Sequence, residues 1–328
     1  MIDTSTDATR AQAPRHPVPV ILDVDTGVDD ALAILFAVAH PGVDVRGITC
    51  VAGNAGLEQV VANTLRILDA ADAPGIPVAA GARRPLLEAA RSASHVHGSD
   101  GLGGIDLPTS HRTVDPSGAI AMMRRLLIES AEPVTLVALA PQTNLALLLR
   151  THPEVVQHIE RIVFMGGSAG VGNATAVAEF NVWHDPEAAA IVLDSGVPTY
   201  MYGLDVFNRV AVPFETAKAL AGRAAVRERI VGELLGHRVR RAGDYSGLIG
   251  DAGAICAIVD PDALRTEHRP VRVELSGHSR GQTLVDRRDV PGEDLLHGTA
   301  GTWDVVEVAL GVDAERMIAL FLDTVAPG

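Results

Sequence analysis

Four aspartates lie within eight residues near the start of the chain, directly after the apolar run at residues 18–22. They are Asp23, Asp25, Asp29 and Asp30. Carboxylates packed this densely at the end of a buried strand repel one another and lose hydration, so a positive partner is needed to hold them together. A hard divalent cation, which prefers oxygen ligands, is the simplest such partner. The cluster therefore predicts a metal site.

The spacing of the aspartates predicts that they have different roles. The turn at residues 26–28 brings Asp25 back beside Asp29 and Asp30. Adjacent residues of a helix point about 100° apart, so one of this pair is predicted to face the metal and the other the substrate. The alternative makes Asp29 and Asp30 ordinary acidic residues of a helix N-terminus, with Asp23 and Asp25 in a solvated turn. Four carboxylates after one buried strand favour a functional site.

A second polar region combines a carboxylate with two amides. Glu179 and Asn181 alternate across a segment that is predicted to be extended, and Asn173 lies on the glycine-rich loop before it. Such side chains suit the recognition of sugar hydroxyls, although a solvated loop would have the same composition.

Two further segments contain candidate site residues. The glycine-rich run from His95 to Gly104 contains His97 and is predicted to form a mobile loop at the mouth of the site. A zinc site is not predicted there, because zinc needs a third nitrogen or sulfur ligand and no companion cluster is present. Asp251 stands at the start of a predicted helix, where it could also be a simple N-cap.

Short apolar runs that alternate with helical patterns predict an α/β fold with a mostly parallel, Rossmann-like central sheet flanked by helices. The predicted strands are Val18–Val24, Val43–Cys50, Val134–Ala138, Arg161–Met165 and Pro198–Gly203. The predicted helices are Asp29–Ala39, Leu57–Ala70, Ser117–Ser130, Thr143–Thr151, Pro186–Ser195, Phe214–Arg241 and Ala252–Val259. Ligands of such sheets bind at the carboxyl ends of the strands, where the polar segments fall.

The C-terminal part has a different pattern. Val271–Leu275 and Gln282–Val285 are predicted to form a hairpin or a long β-connection, and Val305–Leu322 a final helix. Because there is no internal repeat or linker, residues 17–328 are predicted to form one domain. Residues 1–16 are predicted to be a flexible tail.

Composition excludes several classes of partner. A net charge of −14 over 328 residues disfavours nucleic acid or an anionic membrane. Cys50 and Cys256 lie far apart and form no CxxC pattern, which favours a reduced compartment. The polar first 16 residues do not resemble a signal peptide, and no apolar run is long enough to span a membrane. We therefore expect a cytoplasmic protein.

From about Val18 to Leu322 the chain resembles the nucleoside hydrolase family, the inosine-uridine preferring nucleoside N-ribohydrolases. Residues 23–31 are similar to the family's DxDxGxDDA signature. Supporting matches, in the same order as in the family, occur at residues 51–54, 140–144, 165–167, 173–181 and 280–288.

The resemblance implies Ca²⁺-dependent hydrolysis of the N-glycosidic bond of ribonucleosides, by attack of a metal-bound water on C1′. The implied calcium ligands are Asp25, Asp30, the backbone carbonyl of Leu139, and Asp251, with Asp25 also the general base. The implied substrate-binding residues are Asp29, Asn54, Met165, Asn173, Glu179, Asn181 and His97, whereas Asp23 orients its neighbours. It also implies a homodimer or homotetramer.

One position departs from the family pattern. Many members carry a histidine immediately before the last metal aspartate, proposed to protonate the departing base, and here this residue is Gly250. Protonation is then expected from His97, Tyr245, Arg240 or solvent. Stacking of the base on an aromatic ring is the alternative, and the candidate rings are Phe180, Trp183 and Phe207.

Two other functions fit parts of the sequence. A phosphatase of the haloacid dehalogenase class would use Asp23 as its nucleophile and Asp25 as its acid, but it needs a lysine near the phosphate. The only lysine is Lys218, on a polar predicted helix, and the other aspartates would have no role. A non-catalytic protein that binds ribose or nucleosides is the second alternative, and Gly250 is the feature that favours it.

Overall fold

A computed structural model of the chain describes residues 16–242, 246–290, 292–299, 301 and 303–327. The predicted tail lies outside these residues except for His16. The described strands are β1 (Val18–Val24), β2 (Val43–Cys50), β3 (Val78–Ala80), β4 (Val134–Ala138), β5 (Ile159–Met165), β6 (Thr199–Tyr202), β7 (Ala211–Pro213), β8 (Ser246–Leu248), β9 (Leu264–Val273), β10 (Thr283–Val285) and β11 (Asp304–Val312).

The helices surround this sheet and connect its strands. They are α1 (Val28–Ala39), α2 (Leu57–Ala70), α3 (Ser94–His97), α4 (Ala119–Glu129), α5 (Thr143–Thr151), α6 (Phe180–His184), α7 (Pro186–Leu193), α8 (Leu204–Phe207), α9 (Phe214–Ala221), α10 (Val226–Ala242), α11 (Ala252–Val259), α12 (Glu293–Leu296) and α13 (Ala314–Val325). Short 3₁₀ turns lie at Pro153–His158, Pro261–Ala263 and Gly277–Ser279.

Nine strands form the central sheet in the order β10-β9-β11-β6-β5-β4-β1-β2-β3, and β7 pairs with β8 separately. Strand β9 runs antiparallel to both of its neighbours, and the other pairs within the central sheet are parallel. The fold is thus a single α/β domain with a mostly parallel sheet, as predicted. The predicted hairpin is also confirmed, because β9 and β10 pair antiparallel.

Helices cover both faces of the sheet, which explains why its central strands are apolar throughout. Helices α1, α2, α10, α11 and α13 pack on one face, and α4, α5 and α7 pack on the other. In β1 the side chains alternate between these layers: Leu22 and Val24 belong to the first and Ile21 to the second.

Two predicted helices were wrong in their extent. The predicted helix Val305–Leu322 is in fact strand β11 followed by helix α13. Its first half is rich in β-branched residues, and Asp313 caps α13 by accepting a hydrogen bond from the Arg316 backbone N–H at 3.1 Å. The predicted helix Phe214–Arg241 is divided into α9, which ends at Ala221 with Gly222 as its C-cap, and α10, which begins at Val226.

Among the residues that the structure describes, no helix is both long enough and apolar enough to cross a membrane.

Candidate active site

The candidate site lies where the chain reverses its direction of travel across the sheet. Strand β1 pairs with β2 on one side and with β4 on the other, and the helix after β1 leads to β2. The carboxyl ends of β1 and β4 are in register at Asp23 and Ala138. Such a reversal is where open α/β sheets bind ligands.

Asn54, at the end of β2, joins two of the aspartates. Its backbone N–H donates to Oδ2 of Asp25 at 2.7 Å, and its side-chain amide donates to Oδ1 of Asp25 at 2.9 Å. The same amide nitrogen lies 3.1 Å from Oδ2 of Asp30. Gly53 allows this approach, because a Cβ there would lie 2.0 Å from Asp25 Oδ2.

The first turn of α1 presents the remaining carboxylates. Asp30 accepts hydrogen bonds from the backbone N–H groups of Gly27 at 2.9 Å and Asp25 at 3.2 Å. The carboxylates of Asp29, Asp30 and Asp251 converge: one oxygen from each lies within 4.8 Å of the other two. This trio of buried residues could hold a metal ion. Asp25 is not a member of this trio, and Asn54 donates hydrogen bonds to both of its oxygens.

The carboxylates are unfavourable as anions where they stand. Burial, followed by the charge of Asp29, raises the pKa of Asp30 to about 7. Burial, followed by the charge of Asp30, raises the pKa of Asp25 well above its usual value. Both side chains are fully buried. A cation bound among these oxygens would reverse these shifts, because it stabilises the charged forms.

The segments at the ends of β4 and β5 provide two backbone carbonyl oxygens and the apolar side chains of Leu139 and Met165. The Leu139 carbonyl accepts a hydrogen bond from Asn181 Nδ2 at 3.0 Å, and the Met165 carbonyl accepts one from the same nitrogen at 3.1 Å. A carbonyl oxygen has two lone pairs, so the Leu139 oxygen keeps one for a cation.

Glu179 has a structural role as well as a place in the site. It is the N-cap of α6, and its carboxylate accepts from the backbone N–H groups of Asn181 at 2.9 Å, Gly167 at 3.0 Å and Val182 at 3.2 Å. The prediction of an extended segment at Glu179–Asn181 was wrong. Asn173 accepts from the Phe180 backbone N–H at 2.9 Å, which ties the preceding loop to this helix.

His97 packs over the turn between β1 and α1. Its Nδ1 accepts from the Val28 backbone N–H at 3.2 Å and lies 3.5 Å from Asp29 Oδ1. Because Nδ1 is an acceptor, Nε2 carries the proton of the neutral ring. A Cβ at Gly27 would lie 2.6 Å from Nδ1, so this packing requires glycine. His97 closes the short helix α3 and is buried.

Gly250 adopts a left-handed backbone conformation with φ of +60°. A Cβ at this position would lie 2.3 Å from the Cβ of Asp29. The backbone that delivers Asp251 therefore passes directly against Asp29 and leaves no room for a side chain at residue 250.

A cavity of about 280 Å³ gathers the predicted residues. Every predicted substrate-binding residue lines it, together with Leu139, Asp251 and the three rings proposed for stacking: Phe180, Trp183 and Phe207. Asp25 and Asp30 do not line this cavity. Arg91 also lines it and was not predicted, because nothing in its sequence neighbourhood marks it.

Other candidates lie elsewhere. Lys218 lines a separate surface groove between α9, α10 and residues 103–108, so it cannot serve a phosphate at this cavity. Tyr245 and the side chain of Arg240 lie outside the described part of the chain.

Asn144 supports the cluster from behind, and sequence reasoning assigned it no role. Its Nδ2 donates to Asp23 Oδ1 at 2.8 Å, and its Oδ1 accepts from the Ala82 backbone N–H at 2.9 Å. Thr49 also donates to Asp23 Oδ1 at 2.5 Å. Burial raises the pKa of Asp23 to about 7, although both of these hydrogen bonds oppose the shift. Asp23 is therefore hydrogen-bonded to Asn144 and Thr49, behind the other aspartates.

Comparison with known proteins identifies consistent relatives. The family model for inosine-uridine preferring nucleoside hydrolases matches residues 20–319. The pyrimidine-specific ribonucleoside hydrolase RihA of Escherichia coli O8 (strain IAI1) is 42% identical over 275 residues, which cover 82% of this chain and 88% of that protein.

Solved structures give the same result. The plant nucleoside hydrolase PpNRh1 superposes with a TM-score of 0.86 at 29% identity and covers 95% of this chain and 100% of its own. A purine-preferring ribonucleoside hydrolase from Gardnerella vaginalis superposes with a TM-score of 0.85 at 29% identity and covers 94% of this chain and 98% of its own.

Proposed function

Because the chain belongs to the inosine-uridine preferring nucleoside hydrolase family, and is therefore an N-glycosyl hydrolase, we propose that it hydrolyses ribonucleosides to ribose and free base with the help of calcium. The observation that carries the proposal is the convergence of Asp29, Asp30 and Asp251 at a cavity of about 280 Å³.

The donor set suits calcium. Asp25, Asp30, Asp251 and the Leu139 carbonyl offer hard oxygen ligands, and calcium accepts six to eight of these with flexible geometry. Burial and then the charge of Asp29 raise the pKa of Asp30 to about 7, so its charged form needs a nearby positive charge. When bound, the ion would supply that charge and lower the pKa of a coordinated water.

The side chains around the ion would accept the proton of the attacking water and stabilise the transition state. Asp25 accepts the proton of the attacking water, since Asn54 fixes both of its oxygens and so fixes its orientation. Attack at C1′ passes through a transition state with positive charge on the ribose ring, which the surrounding carboxylates stabilise.

The ribose is bound by the polar lining of the cavity. Asp29, Asn54, Asn173, Glu179 and Asn181 hold its hydroxyl groups, and Met165 packs against the ring. Hydrogen bonds to neighbouring backbone groups orient Glu179 and Asn173 before the substrate arrives.

The departing base is served by His97. Its Nδ1 accepts from the Val28 N–H, so the Nε2–H of the neutral ring can donate a hydrogen bond to the departing base, and solvent supplies the proton that the base takes up. Gly250 offers no side chain for this step. We also propose a cytoplasmic homodimer or homotetramer.

The test is release of reducing sugar from a panel of purine, pyrimidine and modified ribonucleosides by the calcium-loaded protein. The names of the relatives divide between pyrimidine and purine substrates, so both classes belong in the panel. We expect ribose from at least one ribonucleoside and no phosphate from p-nitrophenyl phosphate. Tight binding in calorimetry without sugar release from any nucleoside would establish a binding protein instead.

A further inference from the structure

One charged side chain of the cavity has no role in the reaction proposed above. Arg91, which precedes α3, is the one Arg or Lys side chain among the described residues that line this cavity. Its Cζ lies 4.7 Å from the centroid of the Trp183 ring, within the range of a cation–π interaction. This contact restrains the guanidinium beside the ring, while its N–H groups can still donate hydrogen bonds.

The existing contacts of Arg91 leave donors for a ligand. Its Nη2 donates to Glu88 Oε2 at 3.2 Å, and among the described residues no other side chain is hydrogen-bonded to it. A guanidinium has five N–H donors. Glu88 is also close to Arg280, at 3.7 Å, but Arg280 is held more tightly by Glu187, at 2.6 and 2.9 Å.

Arg91 is more exposed to solvent than the acidic side chains of the same cavity. Its side chain is 40% exposed, whereas Asp29, Glu179 and Asp251 in the same cavity are buried. The ring of His184 lies near enough that the Arg91 charge adds to the effect of burial, and together they lower the pKa of His184 to about 4. His184 is therefore neutral near pH 7, and Arg91 supplies the local positive charge.

These contacts point to a specific class of substrate. Resting on the proposed function, we propose that the cavity accepts ribonucleosides that carry an anionic group, and that Arg91, stacked on Trp183, binds this anion. The anion is a carboxylate on the base or a phosphate on the 5′-oxygen, both of which a guanidinium can bind through two parallel hydrogen bonds.

The test compares each anionic nucleoside with a neutral partner. Uridines with a carboxylate at C5 or C6 are paired with the corresponding carboxamides, and uridine 5′-monophosphate is paired with uridine. We expect kcat/KM for at least one anionic member to exceed that of its partner about fivefold, as a partly exposed charge pair allows. Whether a base carboxylate or the phosphate is preferred identifies the source of the anion.

Two variants decide whether Arg91 is responsible. Arg91→Gln is expected to bring the anionic-to-neutral ratio down to about one, mainly through KM, because Arg91 binds the anion and not the atoms of the reacting bond. Arg124→Gln is the matched control: it removes the same charge from a surface ion pair with Glu154 outside the cavity and is expected to keep the ratio. Ratios at or below one in the wild type, or a preference that survives Arg91→Gln, would overturn the inference.

The two proposals fail in different ways. Hydrolysis of the neutral nucleosides tests the proposed function alone. If no nucleoside is hydrolysed, the same anionic-to-neutral ratio is measured as dissociation constants by calorimetry on the calcium-loaded protein, and the inference is decided by that ratio.

Discussion

Gly250 and Asp29 come from distant parts of the chain and are in direct contact: a Cβ on residue 250 would lie 2.3 Å from the Cβ of Asp29. Gly250 also has φ of +60°, which L-residues with side chains rarely adopt. The departure from the family pattern at this position is therefore built into the backbone. A side chain here would displace the carboxylate that is proposed to bind ribose.

Gly250→Ala is expected to lower kcat/KM for a ribonucleoside about 10²-fold, because a displacement of about 1 Å at a catalytic group has effects of that size. Gly196→Ala is the matched control. Gly196 has φ of +75°, and no atom of the described residues would lie within 4 Å of a Cβ at this position. Both variants should lose about 1 kcal/mol of unfolding free energy to backbone strain, measured by urea denaturation, and Gly250→Ala should lose more because of its clash with Asp29. Only Gly250→Ala should lose activity. Equal activity of the two variants would show that the contact with Asp29 is unimportant.

Gly250→His would restore the residue type that many family members carry, yet we expect it to be at least as inactive as Gly250→Ala. The imidazole has no space while Asp29 keeps its place. Initial rates of sugar release over the nucleoside panel measure this, and a variant faster than the wild type would contradict the steric argument.

Asp25→Asn should lower kcat by about 10²- to 10⁴-fold, the usual contribution of a general base. The amide oxygen can still accept the hydrogen bond from the Asn54 backbone N–H, but it cannot take a proton from water. Without metal, the relief of charge repulsion with Asp30 opposes the loss of one of the two hydrogen bonds from Asn54, so the net change in stability should be small. Activity within tenfold of the wild type would exclude Asp25 as the base.

Removal of calcium with a chelator should abolish activity, and added calcium should restore it. Since the ion binds the folded state, saturating calcium should also raise the melting temperature, by about 3 °C if it stabilises the protein by roughly 2 kcal/mol. Asp30→Asn should reduce this shift, whereas Glu154→Gln, on an exposed ion pair, should keep it. Full activity in excess chelator would contradict the proposed metal dependence.

His184 gives a pH dependence of stability that is independent of the catalytic chemistry. Its folded-state pKa is lowered from 6.5 to about 4, chiefly by burial and secondarily by Arg91, and neither ring nitrogen has a hydrogen-bond partner among the described residues. Between pH 6.5 and pH 4, His184 is therefore protonated in the unfolded chain but neutral in the folded chain. The free energy of unfolding thus decreases as the pH falls from 6.5 to 4.

The loss attributable to this ring is on the order of 3 kcal/mol. His184→Leu should make the unfolding free energy fall less steeply over this pH range, as measured by urea denaturation at pH 7.5 and pH 4.5. Identical pH profiles for the two proteins would show that the pKa of this ring does not differ between the folded and unfolded states.

Much of the site could be predicted because its chemistry is local in sequence. The aspartates after β1 and Asn54 after β2 stand at the ends of apolar runs whose bounds match the structure. The extent of the last helix could not be predicted as easily, because Val305, Val306 and Val308 lie in a run whose apolar spacing also fits a helix. Pairing of β11 with β9 and β6 decides in favour of the strand.

Contacts between distant segments could not be predicted. The conflict between Gly250 and Asp29 depends on one backbone angle and on the packing of α1 against α11. Arg91 enters the cavity only because the loop before α3 runs past Trp183. No pattern of residue types encodes either relationship.

The bridge that Asn54 makes between Asp25 and Asp30 has a consequence for how the enzyme matures. A neutral amide donates to both carboxylates, so the acidic pocket can assemble during folding before any ion arrives. If calcium is required as proposed, folding and metal acquisition are separate events: the newly made chain would fold before the ion binds and would be inactive until it does.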